Sequence, residues 1–80
     1  MTLPWYATRM DSIPPEELPE EWVWERLRMR RDQFLRDTDW RVVTDAAWDV
    51  IPWVDYRQQL RDLPQATSDP RTVDWPEVPE

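Results

Sequence analysis

A short apolar stripe in the C-terminal half constrains the fold of this chain more than any other feature of the sequence. Its four residues recur at intervals of three and four: Trp53, Tyr56, Leu60 and Leu63. This is the spacing of one face of an α-helix, so we expect a helix here. Asp49 is a suitable cap for it, with Pro52 in the first turn. Because Pro64 has no backbone N–H to continue the helix, we expect the helix to end at Leu63.

A second amphipathic segment, from Glu20 to Asp37, is the natural partner for this stripe. Pro19 stands where a helix start tolerates proline, and Glu20 and Glu21 place negative charge near the positive end of the helix dipole. Its apolar face, interrupted by Arg31, consists of Val23, Trp24, Leu27, Phe34 and Leu35. The two segments are therefore expected to form a helical hairpin. The polar residues of the second helix expected to point into solvent are Arg57, Gln58, Arg61 and Asp62.

Both ends of the chain are rich in proline and short of apolar residues. The prolines are Pro4, Pro14 and Pro15 at one end and Pro70, Pro76 and Pro79 at the other. Proline holds itself and the residue before it in extended conformations. We therefore expect a mainly α fold in three parts: an extended partner-binding arm (1–18), the hairpin (19–64) and an extended tail (65–80) that packs through Trp75. Whether Trp5 and Tyr6 of the arm pack onto the helices, lie along another chain or belong to a frayed terminus stays open.

The connection between the two helices carries two tryptophans, Trp40 and Trp48. The stretch from Asp37 to Trp40 is expected to leave the first helix as a turn, because Asp and Thr side chains compete for local backbone hydrogen bonds. Trp40 is then expected to plug the open end of the helical pair. Thr44 or Asp45 is expected to cap a short helical turn that ends at Trp48.

The core of such a chain must be built from few, large side chains. Eighty residues without cysteine lie near the lower limit for a self-sufficient core and allow no disulfide. The expected core residues are Trp24, Leu27, Phe34, Trp40, Trp53, Tyr56, Leu60, Leu63 and Trp75. Seven tryptophans are more than two helices readily bury, and tryptophan is enriched at protein interfaces. The expected partner-binding residues are Trp5, Tyr6, Met10, Trp22, Met29 and Trp48.

Charge and missing residue types exclude several functions. The net charge of −7 argues against binding to nucleic acid. Without histidine, cysteine or glycine, neither a catalytic triad nor a glycine-rich phosphate loop can form. Adjacent acids such as Glu16 and Glu17 are better explained as helix caps and solubilising charge than as a metal or sugar site. We expect no enzyme, no cofactor and no metal. Nothing approaches the ~18–20 apolar residues of a membrane span, so a soluble protein made in a cytoplasm is expected.

A cluster of arginines marks the first helix. Its members are Arg26, Arg28, Arg30 and Arg31, and Glu25 and Asp32 partly balance it. Such a run is usually a solvated face. The alternative is a docking site for an acidic surface, including the acidic tail of this same chain.

Three groups of residues resemble a known family. They are Leu27, Arg30-Arg31-Asp32, Leu35 and Asp37-Thr38-Asp39-Trp40; then Trp53 and the run from Tyr56 to Pro64; and finally Pro70, Val73, Trp75-Pro76 and Pro79. In order and spacing, over roughly residues 24–79, they resemble the tail assembly chaperone domain of tailed bacteriophages. The N-terminal arm and Ala46-Ala47-Trp48 depart from that pattern.

The resemblance implies a non-enzymatic role in folding, trimerising or attaching a tail fibre, in the cytoplasm of the host bacterium or as a subunit retained in the virion tail. The implied partner is a phage tail-fibre protein. Whether the fibre is bound as a trimer, and whether this chain forms a homo-oligomer on it, stays open. An alternative from a different class is an acidic inhibitor or regulatory protein that occupies a basic cleft on a host enzyme. Steep salt dependence of binding indicates the second class, and weak salt dependence the first.

Overall fold

A computed structural model describes residues 2–43 and 47–79, and its architecture is the predicted hairpin of two helices with non-helical ends. Helix α1 is Glu20–Thr38 and helix α2 is Ile51–Ala66. Three single turns of 3₁₀-helix accompany them: Pro15–Glu17, Asp39–Val42 and Pro70–Thr72. Neither helix of the described ranges is long and apolar enough to cross a bilayer. The cap predicted at Thr44 or Asp45 lies outside the described residues.

Helix α1 begins and ends close to the predicted positions. Pro19 is its N-cap residue and its carbonyl accepts the first backbone bond, from the N–H of Trp22 at 3.0 Å. The helix ends one residue later than predicted, at Thr38. There the hydroxyl donates back to the carbonyl of Phe34 at 2.8 Å. The next turn, Asp39–Val42, tightens to 3₁₀ geometry, which is a frequent way to close an α-helix.

Helix α2 starts within one residue of the predicted position but runs past its predicted end. Its N-cap residue is Val50, which makes no side-chain cap, whereas Asp49 was predicted for that role. The Asp49 carboxylate accepts the N–H of Ile51 at 3.0 Å from one position further out. The helix then continues through Pro64 to Ala66, and the predicted end at Leu63 is wrong. A proline inside a helix costs about 3 kcal/mol. Burial of Leu63, which directly precedes the proline and is 7% exposed, offsets part of that cost.

The core lies along the seam between the two helices. Its central cluster is Trp53, Tyr56 and Leu60, against which Phe34, Leu35, Val42 and Trp75 pack. Leu18, Val23, Leu27 and Pro70 are also buried, while Trp24 is only half-buried.

Trp40 corrects the prediction for the open end of the hairpin. It does not plug the end of the helical pair but is 51% exposed. The 3₁₀ turn directs its indole outward, where Nε1 donates to the carbonyl of Asp37 at 2.9 Å. Val42 takes the interior place instead, packed against the central cluster.

The arm contains no α-helix, as predicted, but it is folded back through local turns and is not extended throughout. The N–H of Ala7 donates to the carbonyl of Pro4 at 3.1 Å, and the N–H of Asp11 to that of Thr8 at 3.2 Å. A 3₁₀ turn over Pro15–Glu17 follows. The tail likewise makes a 3₁₀ turn, where Asp69 accepts the N–H of Arg71, before it runs extended from Val73. Proline fixes φ in these stretches, but φ near −65° suits turns as well as extended chain.

Candidate partner-binding surfaces

Four aromatic rings and one arginine join the arm and the tail on the surface of α1. We call this group the terminal clasp; it consists of Tyr6, Trp5, Trp75, Phe34 and Arg30. The rings meet edge to face in that order, with centroids 5.7, 5.3 and 5.5 Å apart. The guanidinium of Arg30 lies 5.5 to 6.0 Å from three of the ring centroids. Both geometries are attractive, so each end of the chain stabilises the position of the other.

The clasp changes the interpretation of Trp5 and Tyr6. Both were predicted as partner contacts, and both are half-buried against their own chain. The indole Nε1 atoms of Trp5 and Trp75 are fully covered and have no acceptor among the described residues. A covered donor of this kind is unfavourable, and the edge-to-face contacts with neighbouring rings offset it only in part.

A second contact fixes the arm through a carboxylate. The Asp11 carboxylate accepts two hydrogen bonds from Arg26, one from Nη1 at 2.8 Å and one from Nη2 at 2.7 Å. It accepts a third from the backbone N–H of Thr8. Arg26 also donates to the carbonyl of Tyr6 at 2.7 Å. Hydrogen bonding by Arg26, with help from Thr8, lowers the pKa of Asp11 from 3.8 to about 2. The same pairing raises the pKa of Arg26.

The arginine cluster of α1 is therefore more than a solvated face. Arg26 holds the arm through Asp11, and Arg30 lies over the rings of the clasp. The sequence predicted as one alternative that an acidic surface docks there, the tail of this chain included, and the acidic group that does so is Asp11 of the arm. Arginine suits this position because its planar fork binds a carboxylate with two parallel bonds and stacks on aromatic faces.

Arg57 contradicts its predicted exposure, because its side chain is 9% exposed and lies between the two helices. Its Nη1 donates to the carbonyl of Leu35 at 2.5 Å and to the hydroxyl of Thr38 at 2.9 Å. Its Nη2 donates to the carboxylate of Asp39 at 2.6 Å. The guanidinium thus binds acceptors at the C-terminal end of α1, where the last carbonyls of a helix lack partners within the helix.

The end of the hairpin where α1 turns into α2 exposes a patch of apolar side chains. We call it the hairpin tip; its apolar members are Trp40, Val43, Trp48, Ile51 and Val54, which are 38 to 65% exposed. At its centre the guanidinium of Arg41 lies 3.9 Å from the ring centroid of Trp40 and 4.6 Å from that of Trp53. The rings of Trp40 and Trp48 meet edge to face at 5.3 Å. Trp48 Nε1 donates to the carbonyl of Arg41 at 2.7 Å.

The other predicted contact residues are exposed but more scattered. Trp22 is 45% exposed, Met29 63% and Met10 94%. Met29 lines a cleft of about 280 Å³ with Trp5, Tyr6 and Arg26. Their role as partner contacts, like that of Trp48, stays a prediction. Sequence reasoning missed the exposure of Trp40, Val43, Ile51 and Val54. Ile51 and Val54 lie three residues apart and off the buried stripe, which was the available signal.

Within residues 2–43 and 47–79, no three acidic side chains are placed to hold a metal ion. The pKa of the Asp11 carboxyl is lowered, and this shift is explained by an arginine from the same chain. The described surface carries exposed apolar side chains, some of which are held in place by hydrogen bonds and arginine–aromatic contacts. Such surfaces are typical of proteins that bind other proteins.

Comparison with known families agrees with that class. The family model described as phage tail assembly chaperone protein matches residues 24–80, which include α1 from Trp24 onward, all of α2 and the tail. The chain belongs to this family and therefore to the proteins of phage tail assembly. No curated protein and no solved structure matches the chain.

Proposed function

We propose that this protein is a non-enzymatic tail-fibre assembly chaperone, or a small fibre-associated tail subunit, that binds the fibre protein through exposed aromatic and aliphatic side chains. The observation that carries the proposal is the balance of apolar surface. In the described residues ten large hydrophobic side chains are exposed, three of them tryptophans, against seven hydrophobic residues in the core. Single exposed apolar residues are normal, but a contiguous patch of them marks an interaction site.

The architecture suits a binding module whose parts are prearranged. Both ends of the chain are fastened to α1 by the clasp and by the Asp11–Arg26 pair, so binding needs little further ordering of the backbone. A smaller ordering cost leaves more of the contact energy for affinity. Within this proposal, the arm contributes its exposed Leu3 and Met10, while Trp5 and Tyr6 hold the arm in position.

Co-expression with the tail-fibre protein of the same phage, followed by size-exclusion chromatography, tests the proposal. We expect the two proteins to elute together, and elution as two independent species at micromolar concentration would contradict the proposal. The proposed place of action is the host cytoplasm during assembly. Mass spectrometry of purified virions then separates the two forms of the hypothesis, because a chaperone leaves the finished particle and a subunit stays in it.

A further inference from the structure

We propose that the hairpin tip is the docking surface for the partner, and that it takes an apolar side chain flanked by lysine or arginine on the partner protein. This inference rests on the proposed function, since it names the surface and the chemistry of the contact that the proposed function requires. Three features of the tip support it: the concentration of apolar area, its rigidity and the charge around it.

Exposed large hydrophobic side chains are more frequent at the tip than in the rest of the described chain. Of the ten exposed large hydrophobic side chains in the described residues, five belong to the tip. They come from two sides of the connection: Trp40 and Val43 follow α1, while Trp48, Ile51 and Val54 precede or begin α2. The tip also contains two of the three exposed tryptophans, and tryptophan is enriched among residues that dominate binding energy.

The rings of the tip are held in place before any partner arrives. Both indole N–H groups are already bonded to backbone carbonyls, of Asp37 and of Arg41. The guanidinium of Arg41 lies against the rings of Trp40, Trp48 and Trp53, the last of which belongs to the core. Side chains fixed in this way lose little rotamer freedom on binding, so the entropic cost that offsets the gain from burying them is small.

The rim of the tip is acidic and selects the partner's charge. Four exposed aspartates flank the patch in the sequence: Asp37, Asp39, Asp49 and Asp55. Among the described basic side chains near the patch, Arg41 is covered by aromatic rings, and the buried Arg57 is paired with Asp39, which remains 66% exposed. The exposed Arg36 of the last turn of α1 is bonded to Gln33. Charge complementarity at an interface therefore favours a partner that places Lys or Arg around its apolar anchor. A second copy of this chain would bring like charges together, which disfavours a homodimer through this surface.

The first test compares tryptophans of similar exposure at two places on the molecule. Trp40→Ala and Trp48→Ala are each measured for binding to the full-length co-expressed fibre protein, beside Trp22→Ala, a predicted contact outside the tip whose part in binding this inference makes secondary. We expect the tip variants to weaken binding about 30-fold or more and Trp22→Ala to change it less than about threefold. Far-UV circular dichroism checks that each variant keeps its helices. Equal binding by wild type and both folded tip variants would overturn the inference.

The second test addresses the rim. The double change Asp37→Asn and Asp55→Asn is compared with Glu16→Gln and Glu17→Gln, which remove the same charge from the exposed 3₁₀ turn before α1. The rim variant is expected to slow association with the fibre protein about tenfold at low salt, and the control to leave it near the wild-type value. Equal rates for the two variants would overturn the assignment of a basic partner.

Hydrogen exchange on the intact complex gives an answer that does not depend on any variant. Protection is expected in the peptides that contain Trp40 to Val43 and Trp48 to Val54. Protection confined to the arm and to the outer face of α1 would overturn the inference while leaving the proposed function standing. If the wild-type proteins do not associate at all, the proposed function fails and this inference fails with it.

Discussion

Arg57 joins the end of α1 to the middle of α2 through a side chain that is nearly buried. It binds two acceptors on α1 and the carboxylate of Asp39, at 2.5 to 2.9 Å. We expect Arg57→Ala to destabilise the fold by about 1–3 kcal/mol, because it removes the three hydrogen bonds of a nearly buried guanidinium. Since so small a core supplies only about 3–5 kcal/mol, such a loss is a large part of the total. Urea unfolding followed by circular dichroism measures it.

The same helix provides the control for Arg57. Arg61 lies one turn further along α2 and is exposed, so Arg61→Ala is expected to change stability by less than about 0.5 kcal/mol. Arg57→Lys keeps the charge but loses the planar fork and should recover only part of the stability. If Arg57→Ala and Arg61→Ala behave alike, the bonds of Arg57 contribute nothing to folding.

Asp11 gives the fold a dependence on acid pH. Its pKa falls from 3.8 to about 2 in the folded protein because Arg26 and the N–H of Thr8 bind the ionised form. A depressed folded-state pKa contributes stability that is present above the unfolded value and is lost as pH falls from about 3.8 to about 2. Asp11→Asn should therefore be less stable than wild type near pH 5 and equal to it below about pH 2. A stability difference that stays constant across this range would contradict the prediction.

The terminal clasp shows how two short segments without regular structure come to be ordered. Neither the arm nor the tail carries enough apolar residues to fold alone, yet Trp5 and Trp75 meet at a centroid distance of 5.3 Å on the surface of α1. The ring of Trp5 packs against a surface that includes the ring of Trp75, and the reverse is also true. The stability of the arm is thus coupled to that of the tail.

A double-mutant cycle at Trp5 and Trp75 measures this coupling. Trp75→Ala is expected to lower the free energy of unfolding by about 2–3 kcal/mol, and Trp5→Ala to lower it by somewhat less. Neither loss is larger because both rings are only half-buried. The double variant should lose about 0.5–1.5 kcal/mol less than the sum of the two. Met10→Ala, at a residue 94% exposed on the same arm, serves as the control and should be neutral. Strict additivity with no effect of Trp5→Ala would show that the arm does not pack in solution.

At the scale of elements, the helices were predictable and their surroundings were not. The apolar stripes, Pro19 and Asp49 placed both helix starts to within one residue because these signals are local in the sequence. The predictions of a helix end before Pro64 and of a buried Trp40 were wrong. The helix continues through Pro64 beside the buried Leu63, and Trp40 lies in a 3₁₀ turn that directs it outward. Arg57 lies four residues after Trp53 and three before Leu60, so the spacing places it on the buried face, but its charge argued for solvent. Its acceptors on α1 are distant in sequence, and no local pattern reveals them.

The molecule as a whole is elongated, 47 × 24 × 19 Å, with the hairpin tip as a separate part of its surface. Acidic residues outnumber basic ones in its sequence by 17 to 10. The outward charge is therefore dominated by carboxylates, consistent with the net charge of −7. This arrangement combines a long-range negative field with a short-range apolar contact, and the two have different dependences on salt.

Salt dependence distinguishes a tail-fibre contact anchored by tryptophan from an acidic inhibitor held mainly by charge. Between about 0.1 M and about 1 M salt the Debye length falls from about 10 Å to about 3 Å. We expect the association rate with the fibre protein to fall about tenfold over this range, because steering by the acidic rim is screened, while the dissociation rate changes less than about threefold.

The variant Trp40→Ala should show the opposite pattern, with faster dissociation at every salt concentration. The rim variant with Asp37→Asn and Asp55→Asn should associate slowly and respond little to salt. Stopped-flow tryptophan fluorescence separates the two rates. A fall in affinity of several hundredfold, carried by faster dissociation of the wild type, would instead place the binding energy in the charges and favour the acidic inhibitor.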